Sequence, residues 1–125
     1  MTLDHTDRTE LLREGGIDHR EAMERFCGNE ALYERLALKF LDDPHFAELE
    51  QALSDKDAQA AYRAAHSLKG VAGNLSLWCL YDQSCRLCDA LRASDLDTAE
   101  RILPDARVAY DAVGRTLGQL RDDEA

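Results

Sequence analysis

Apolar residues recur three and four positions apart along much of this chain, which is the spacing of helices that bury one face. The clearest row of apolar residues on one helical face, hereafter a seam, predicts a long central helix. It consists of Ala61, Ala65, Leu68, Ala72 and Leu75. A second seam predicts the following helix, with Leu77, Leu80, Ser84, Leu87 and Leu91. A third predicts a last helix, through Ala106, Tyr110, Val113, Leu117 and Leu120. Before these, one helix is expected to carry Leu32, Leu36 and Phe40 on a single apolar face.

Polar residues predict where the first helices begin. Residues 1–14 are polar and form either a frayed arm or a short helix that ends at the Gly15-Gly16 pair. Asp18 is expected to cap a short helix, with Glu21 three residues later completing a capping box. Asn29 is expected to cap the helix after it.

The later boundaries follow similar signals. Pro44 interrupts or restarts a helix, because proline fits best in a first helical turn. Asp55 or Asp57 opens the central helix, which is expected to end near residues 74–76. The Ser94-Asp95 pair is expected to form the next turn and cap.

Composition favours an all-α protein, since alanine, leucine, glutamate and arginine are abundant and there are only two prolines. The second, Pro104, either kinks the last helix or marks a fresh start. With short loops, the predicted architecture is an antiparallel four-helix bundle with additional short N-terminal helices. We expect a polar N-terminal arm over residues 1–15 and a helical bundle domain over residues 16–121.

Size and charge exclude several classes of function. A chain of 125 residues supports one domain with a modest core, without room for a separate nucleotide-binding domain. A net charge of −10 argues against binding a nucleic-acid backbone. No apolar run approaches the length of a membrane span, and the N-terminus lacks the pattern of a signal peptide. We therefore expect a cytoplasmic monomer without nucleic-acid or membrane partners.

One histidine lies on the outward side of the central helix. At about 100° per residue, His66 lies roughly 140° from the centre of the buried seam, and Tyr62, Lys69, Gly70 and Gly73 fall on the same outward side. Each glycine inside a helix costs about 0.5–1 kcal/mol relative to alanine. That cost is understandable if another surface must approach closely beside His66.

The run His66-Ser67-Leu68-Lys69-Gly70 resembles the signature of histidine-containing phosphotransfer (HPt) domains, approximately H-x-L-K-G-x-x-x-x-x-G. Ser76 stands where the family usually has its later glycine, so the turn there is expected to be slightly altered. The resemblance covers roughly residues 16–120. Its other parts are Gly16-Ile17-Asp18, residues 26–30, Leu32-Tyr33, Phe40 and residues 87–90.

The resemblance implies a phosphorelay intermediate in two-component signal transduction. His66 would accept a phosphoryl group through Nε2 from a receiver-domain aspartyl phosphate and pass it to another receiver's aspartate. Lys69 would stabilise the phosphoryl charge, with Tyr62, Gly70 and Gly73 at the docking surface. The implied partners are response-regulator receiver domains and a hybrid sensor histidine kinase. The chain would not be an enzyme and would need no cofactor or metal of its own, because the receiver would supply Mg²⁺.

Other interpretations remain open from the sequence. A degenerate HPt bundle would dock receivers without carrying phosphate. A dimerising phosphoacceptor domain of a sensor kinase usually has an acidic residue and an Arg-Thr-Pro stretch after its histidine, and neither follows His66. Four cysteines, including Cys85 and Cys88, permit a metal or redox protein, although local spacing provides no four-ligand site and favours Cys88 as a core residue. Tyr62 either edges the docking surface or is a half-buried bundle residue.

Overall fold

The computed structural model describes residues 3–124, in which helices are joined by short loops and there is no strand. The all-α prediction is confirmed. The α-helices are α1 (His5–Glu14), α2 (His19–Arg25), α3 (Glu30–Lys39), α4 (His45–Ser54), α5 (Ala58–Asn74), α6 (Trp78–Arg92) and α7 (Leu96–Glu124). A short 3₁₀ helix (Phe40–Asp42) follows α3. None of the helices in this range is long and apolar enough to cross a membrane.

Helices α4 to α7 form the predicted four-helix bundle. Helices α5, α6 and α7 each follow the preceding helix after a loop of three residues (55–57, 75–77 and 93–95), so consecutive helices run antiparallel. Helix α5 packs between α4 and α6, and α7 closes the bundle against α6 and α4. The seams predicted for α5 and α6 are fully buried, and so are Ala106, Val113, Leu117 and Leu120 of α7.

The predicted buried face of α3 is only partly right, since Phe40 is buried but Leu36 is not. Leu36 is 36% exposed, whereas Tyr33 and Ala37 are fully buried and Phe40 is nearly so. The Tyr33 hydroxyl donates a hydrogen bond of 2.6 Å to the Leu75 carbonyl, and this contact with the α5–α6 loop orients the helix. Apolar residues lie all round α3, so their spacing did not define which face would be buried.

Most helix boundaries follow the predicted caps. The side chains of Asp18, Asn29 and Asp95 accept hydrogen bonds from the first turns of α2, α3 and α7. Of the two alternatives for α5, Asp57 is the cap and Asp55 ends α4. Pro44 immediately precedes α4, whereas Pro104 lies inside a continuous α7 and starts no new helix.

The capping box at α2 is only half formed. Asp18 accepts from the Glu21 backbone N–H at 3.0 Å, but Glu21 does not return to the Asp18 backbone. The Asp18 N–H instead donates to the Ser76 carbonyl at 2.9 Å, and the Glu21 carboxylate accepts from the Ser76 hydroxyl at 2.9 Å. Both groups thus bind α2 to the α5–α6 loop.

Residues 5–14 form the short helix α1, the second of the two alternatives, and residues 1 and 2 lie outside the described residues. Leu12 is buried in the common core, and Arg8 forms ion pairs with Glu34 of α3 and Asp123 of α7. A Cβ atom on Gly15 would overlap the Thr116 side chain, so glycine permits this close approach of α1 to α7. Helices α1 to α3 thus cover one end of the bundle, hereafter the capped end, while the division at residue 15 stays a prediction.

Candidate functional site

His66 lies near the middle of α5 and is exposed, as its position on the helical wheel predicts. The opposite side of the helix is held in the core by Ala61, Ala65, Leu68 and Ala72, each with 0% of its surface exposed. The imidazole is therefore not required for packing and can be reached by a partner.

Tyr62, one helical turn before His66, stacks on the imidazole. The ring centroids are 5.9 Å apart and the ring planes meet at 18°. Tyr62 is half-buried and packs against the core, as the second of the two alternatives predicts, and its place at a docking surface stays a prediction.

Arg92 of α6 reaches Tyr62 from the neighbouring helix. Its Nη2 lies 3.5 Å from the Tyr62 hydroxyl oxygen, and its guanidinium carbon lies 5.8 Å from the centroid of the ring. The hydrogen bond with Tyr62 raises the pKa of Arg92. The spacing of apolar residues within α6 does not single out Arg92. An antiparallel hairpin centred on residue 77 would have placed it opposite Tyr62.

Lys69, one turn after His66, is half-buried on the side of α5 that faces α6. Its charge acts on the Cys88 thiol, whose pKa is raised by burial and partly lowered again by Lys69. Along α5, His66 thus lies between Lys69 on one side and Tyr62, which Arg92 contacts, on the other.

The two glycines differ in their surroundings. Gly70 is exposed, and a Cβ atom there would meet nothing within 4 Å. Gly73 faces Tyr81 of α6, whose ring atoms would lie 3.6 and 3.7 Å from a Cβ atom, an ordinary van der Waals distance. Gly73 therefore lies closer to the neighbouring helix than the wheel alone suggested, although a small side chain fits. We call the surface formed by Tyr62, His66, Lys69, Gly70, Gly73, Tyr81 and Arg92 the α5–α6 face.

Ser76, in place of the later glycine, adopts the left-handed conformation that glycine favours, with φ of 55°. Its backbone N–H donates to the Gly73 carbonyl and that of Leu77 to the Ala72 carbonyl, which is the Schellman pattern at a helix end. The backbone turn is thus of the kind a glycine would form, and the hydroxyl adds the bond to Glu21 described above.

The cysteines are separate thiols. Cys88 is buried in the core as predicted, Cys85 is half-buried, and Cys27 and Cys79 are exposed on other parts of the surface. Within residues 3–124, no three histidine, cysteine, aspartate or glutamate side chains are grouped so that they could hold a metal ion.

The structure is thus an all-α bundle with an exposed histidine on its central helix. The family model described as Hpt domain matches residues 42–123, and the chain belongs to this family. Searches of curated proteins and of solved structures found no match. Membership implies a phosphotransfer role in two-component signalling, since Hpt domains are carriers without a nucleotide-binding domain and interact with receiver domains and kinases.

Proposed function

We propose that this protein is a phosphorelay intermediate that carries a phosphoryl group on His66. The group would come from a receiver-domain aspartyl phosphate and pass to the aspartate of a second receiver. The observation that supports this most strongly is the exposed imidazole of His66, one turn from Lys69 and beside the open position at Gly70.

The chemistry requires a nucleophile and nearby positive charge. A neutral imidazole attacks phosphorus with its free nitrogen lone pair, the new N–P bond forms, and the aspartate leaves as a carboxylate. Nε2 is the expected nitrogen. Lys69 would stabilise the charge on the equatorial phosphoryl oxygens, and the receiver would supply Mg²⁺. The reverse sequence of bond changes passes the group to the next aspartate.

The surface is suited to partner docking because α5 has no large side chain at Gly70 or Gly73. Receiver domains of response regulators and of a hybrid sensor histidine kinase are the proposed partners, with Tyr62, Gly70 and Gly73 in the contact. Cytoplasmic residence, a monomeric state and the absence of nucleic-acid or membrane partners stay predictions.

The test is phosphoryl transfer from isolated receiver domains labelled on their aspartates, with wild type, His66→Gln and His5→Gln compared. His5 is also exposed and lies on α1 at the capped end, so it is a matched control. We expect acid-labile, base-stable label on wild type and His5→Gln and none on His66→Gln, with the three proteins melting alike. Label retained by His66→Gln would contradict the assignment. Receiver binding without any label on wild type would favour the degenerate HPt interpretation.

A further inference from the structure

We propose that Tyr62 is a positioning residue for the His66 imidazole and that Arg92 holds Tyr62 in place from α6. This inference rests on the proposed function, because it assigns how the reactive ring is oriented. It involves no direct contact of Tyr62 or Arg92 with the phosphoryl group.

The stack provides the orientation. An exposed histidine on a helix normally samples several side-chain rotamers. Here the centroid separation of 5.9 Å lies within the range of favourable aromatic pairs, and the interplanar angle of 18° is that of an offset parallel stack, which favours one orientation of the imidazole plane. A ring held in one plane directs its nitrogen lone pair along one line, as in-line transfer requires.

Arg92 anchors the tyrosine. Its guanidinium contacts both the hydroxyl and the ring of Tyr62, and its Nη1 pairs with Asp89 Oδ1 at 3.2 Å on the same helix. The orientation of His66 on α5 therefore depends on a side chain of α6. The stack couples the nucleophile to the packing of two helices, whereas a docking residue would need no such contact.

The geometry can be tested on the unphosphorylated protein. The Tyr62 ring should shift the imidazole proton resonances of His66, assigned by their absence in His66→Gln, relative to those of a histidine in an unstructured peptide. We expect this ring-current shift to persist in Tyr62→Phe and to vanish in Tyr62→Leu. A His66 spectrum unchanged by Tyr62→Leu would overturn the proposal.

The functional consequence is measured at saturating phosphorylated receiver, where docking affinity no longer matters. We expect Tyr62→Leu to slow transfer about tenfold and Tyr62→Phe about twofold, because a misoriented nucleophile loses rate without losing binding. Arg92→Gln should slow transfer about threefold in wild type and have no further effect in Tyr62→Leu, as expected for coupled residues. Arg101→Gln is the matched control, since Arg101 is exposed on α7 away from this stack.

Phosphoramidate separates positioning from docking, because it transfers its phosphoryl group to an imidazole with release of ammonia and needs no docking surface. The rate of His66 phosphorylation by phosphoramidate should also fall in Tyr62→Leu. Transfer slowed with receiver but not with phosphoramidate would overturn positioning and make Tyr62 a docking residue. Melting curves verify that the variants are folded, and Tyr62→Gln, which also lacks an aromatic ring, provides the same test if Tyr62→Leu is unstable. Failure of the proposed function would appear in wild type as no label from receiver, whereas failure of this inference appears only in the variants.

Discussion

The capped end and the α5–α6 face use polar side chains in opposite ways. At the capped end, Arg8, Glu34 and Asp123 pair across three helices, with side chains that are 17%, 13% and 5% exposed. On the α5–α6 face, His66 is exposed and Gly70 leaves open space beside it. The first region contributes to holding the fold together and the second is available to a partner. Substitutions in the two regions should therefore affect different measurements.

The largest expected effect on stability comes from Arg8→Met at the capped end. Removing the arginine leaves two largely buried carboxylates without this partner, so the free energy of unfolding should fall by about 2 kcal/mol. Chemical denaturation measures this, and transfer to His66 should be unchanged well below the melting temperature. Arg13→Met is the control, since the Arg13–Glu10 pair on α1 is exposed and should contribute less than about 0.5 kcal/mol. An equal fall in the free energy of unfolding in both variants would show that the buried ion pairs of Arg8 contribute no more than the exposed pair of Arg13.

Lys69→Ala should affect phosphoryl transfer and leave stability nearly unchanged, the opposite of Arg8→Met. Loss of the cation should slow transfer at saturating receiver about tenfold and shorten the lifetime of the phosphohistidine, because less charge opposes the phosphoryl oxygens. Stability should change by less than about 0.5 kcal/mol. Single-turnover kinetics and the decay of the label measure these effects. An unchanged rate would make Lys69 an ordinary surface lysine.

Gly73→Gln should weaken receiver binding and transfer without lowering the melting temperature. Glutamine has a higher helix propensity than glycine by about 0.5–1 kcal/mol, and the first atom of its side chain fits beside Tyr81. The rest of that side chain should obstruct a partner. Gly73→Ala is the matched control, because it gains the helix propensity and adds only the atom that fits. A lower melting temperature in both variants would show that Gly73 is needed for helix packing.

The smallest expected effect concerns two serines in left-handed turns. Ser76 and Ser94 have φ of 55° and 57°, but only Ser76 donates a side-chain hydrogen bond, to Glu21. Ser94→Gly should stabilise the protein by about 0.5 kcal/mol, because glycine adopts this conformation without strain. Ser76→Gly should gain less or nothing, since it also removes a bond at the capped end. A larger gain at Ser76 would mean that its bond to Glu21 contributes no stability.

Local signals predicted most of the fold. The seams of α5 and α6 and the caps at Asp18, Asn29 and Asp95 depend on neighbours within the same helix, so spacing and residue type were sufficient. The outward position of His66 followed from the same helical geometry. These are the features that one helix determines by itself.

The errors and omissions have a common cause in contacts between helices. The buried face of α3 depends on the hydrogen bond from Tyr33 to Leu75. The Glu21 carboxylate accepts a hydrogen bond from Ser76 and does not complete the predicted capping box. Arg92 joins the site only because α6 folds back on α5. Such contacts join residues far apart in the sequence, and no periodicity within one helix contains them.

The bond from the Leu3 backbone N–H to Asp123 Oδ1, 2.8 Å long, brings the two ends of the described chain together at the capped end. A short linker engineered between residues 3 and 123 would therefore close this part of the chain into a ring, which could be opened at the exposed turn 93–95. A circularly permuted protein of this kind would keep the helix packing while changing the order in which the helices are synthesised. His66 would then keep its place on the surface of the bundle although its number along the chain had changed.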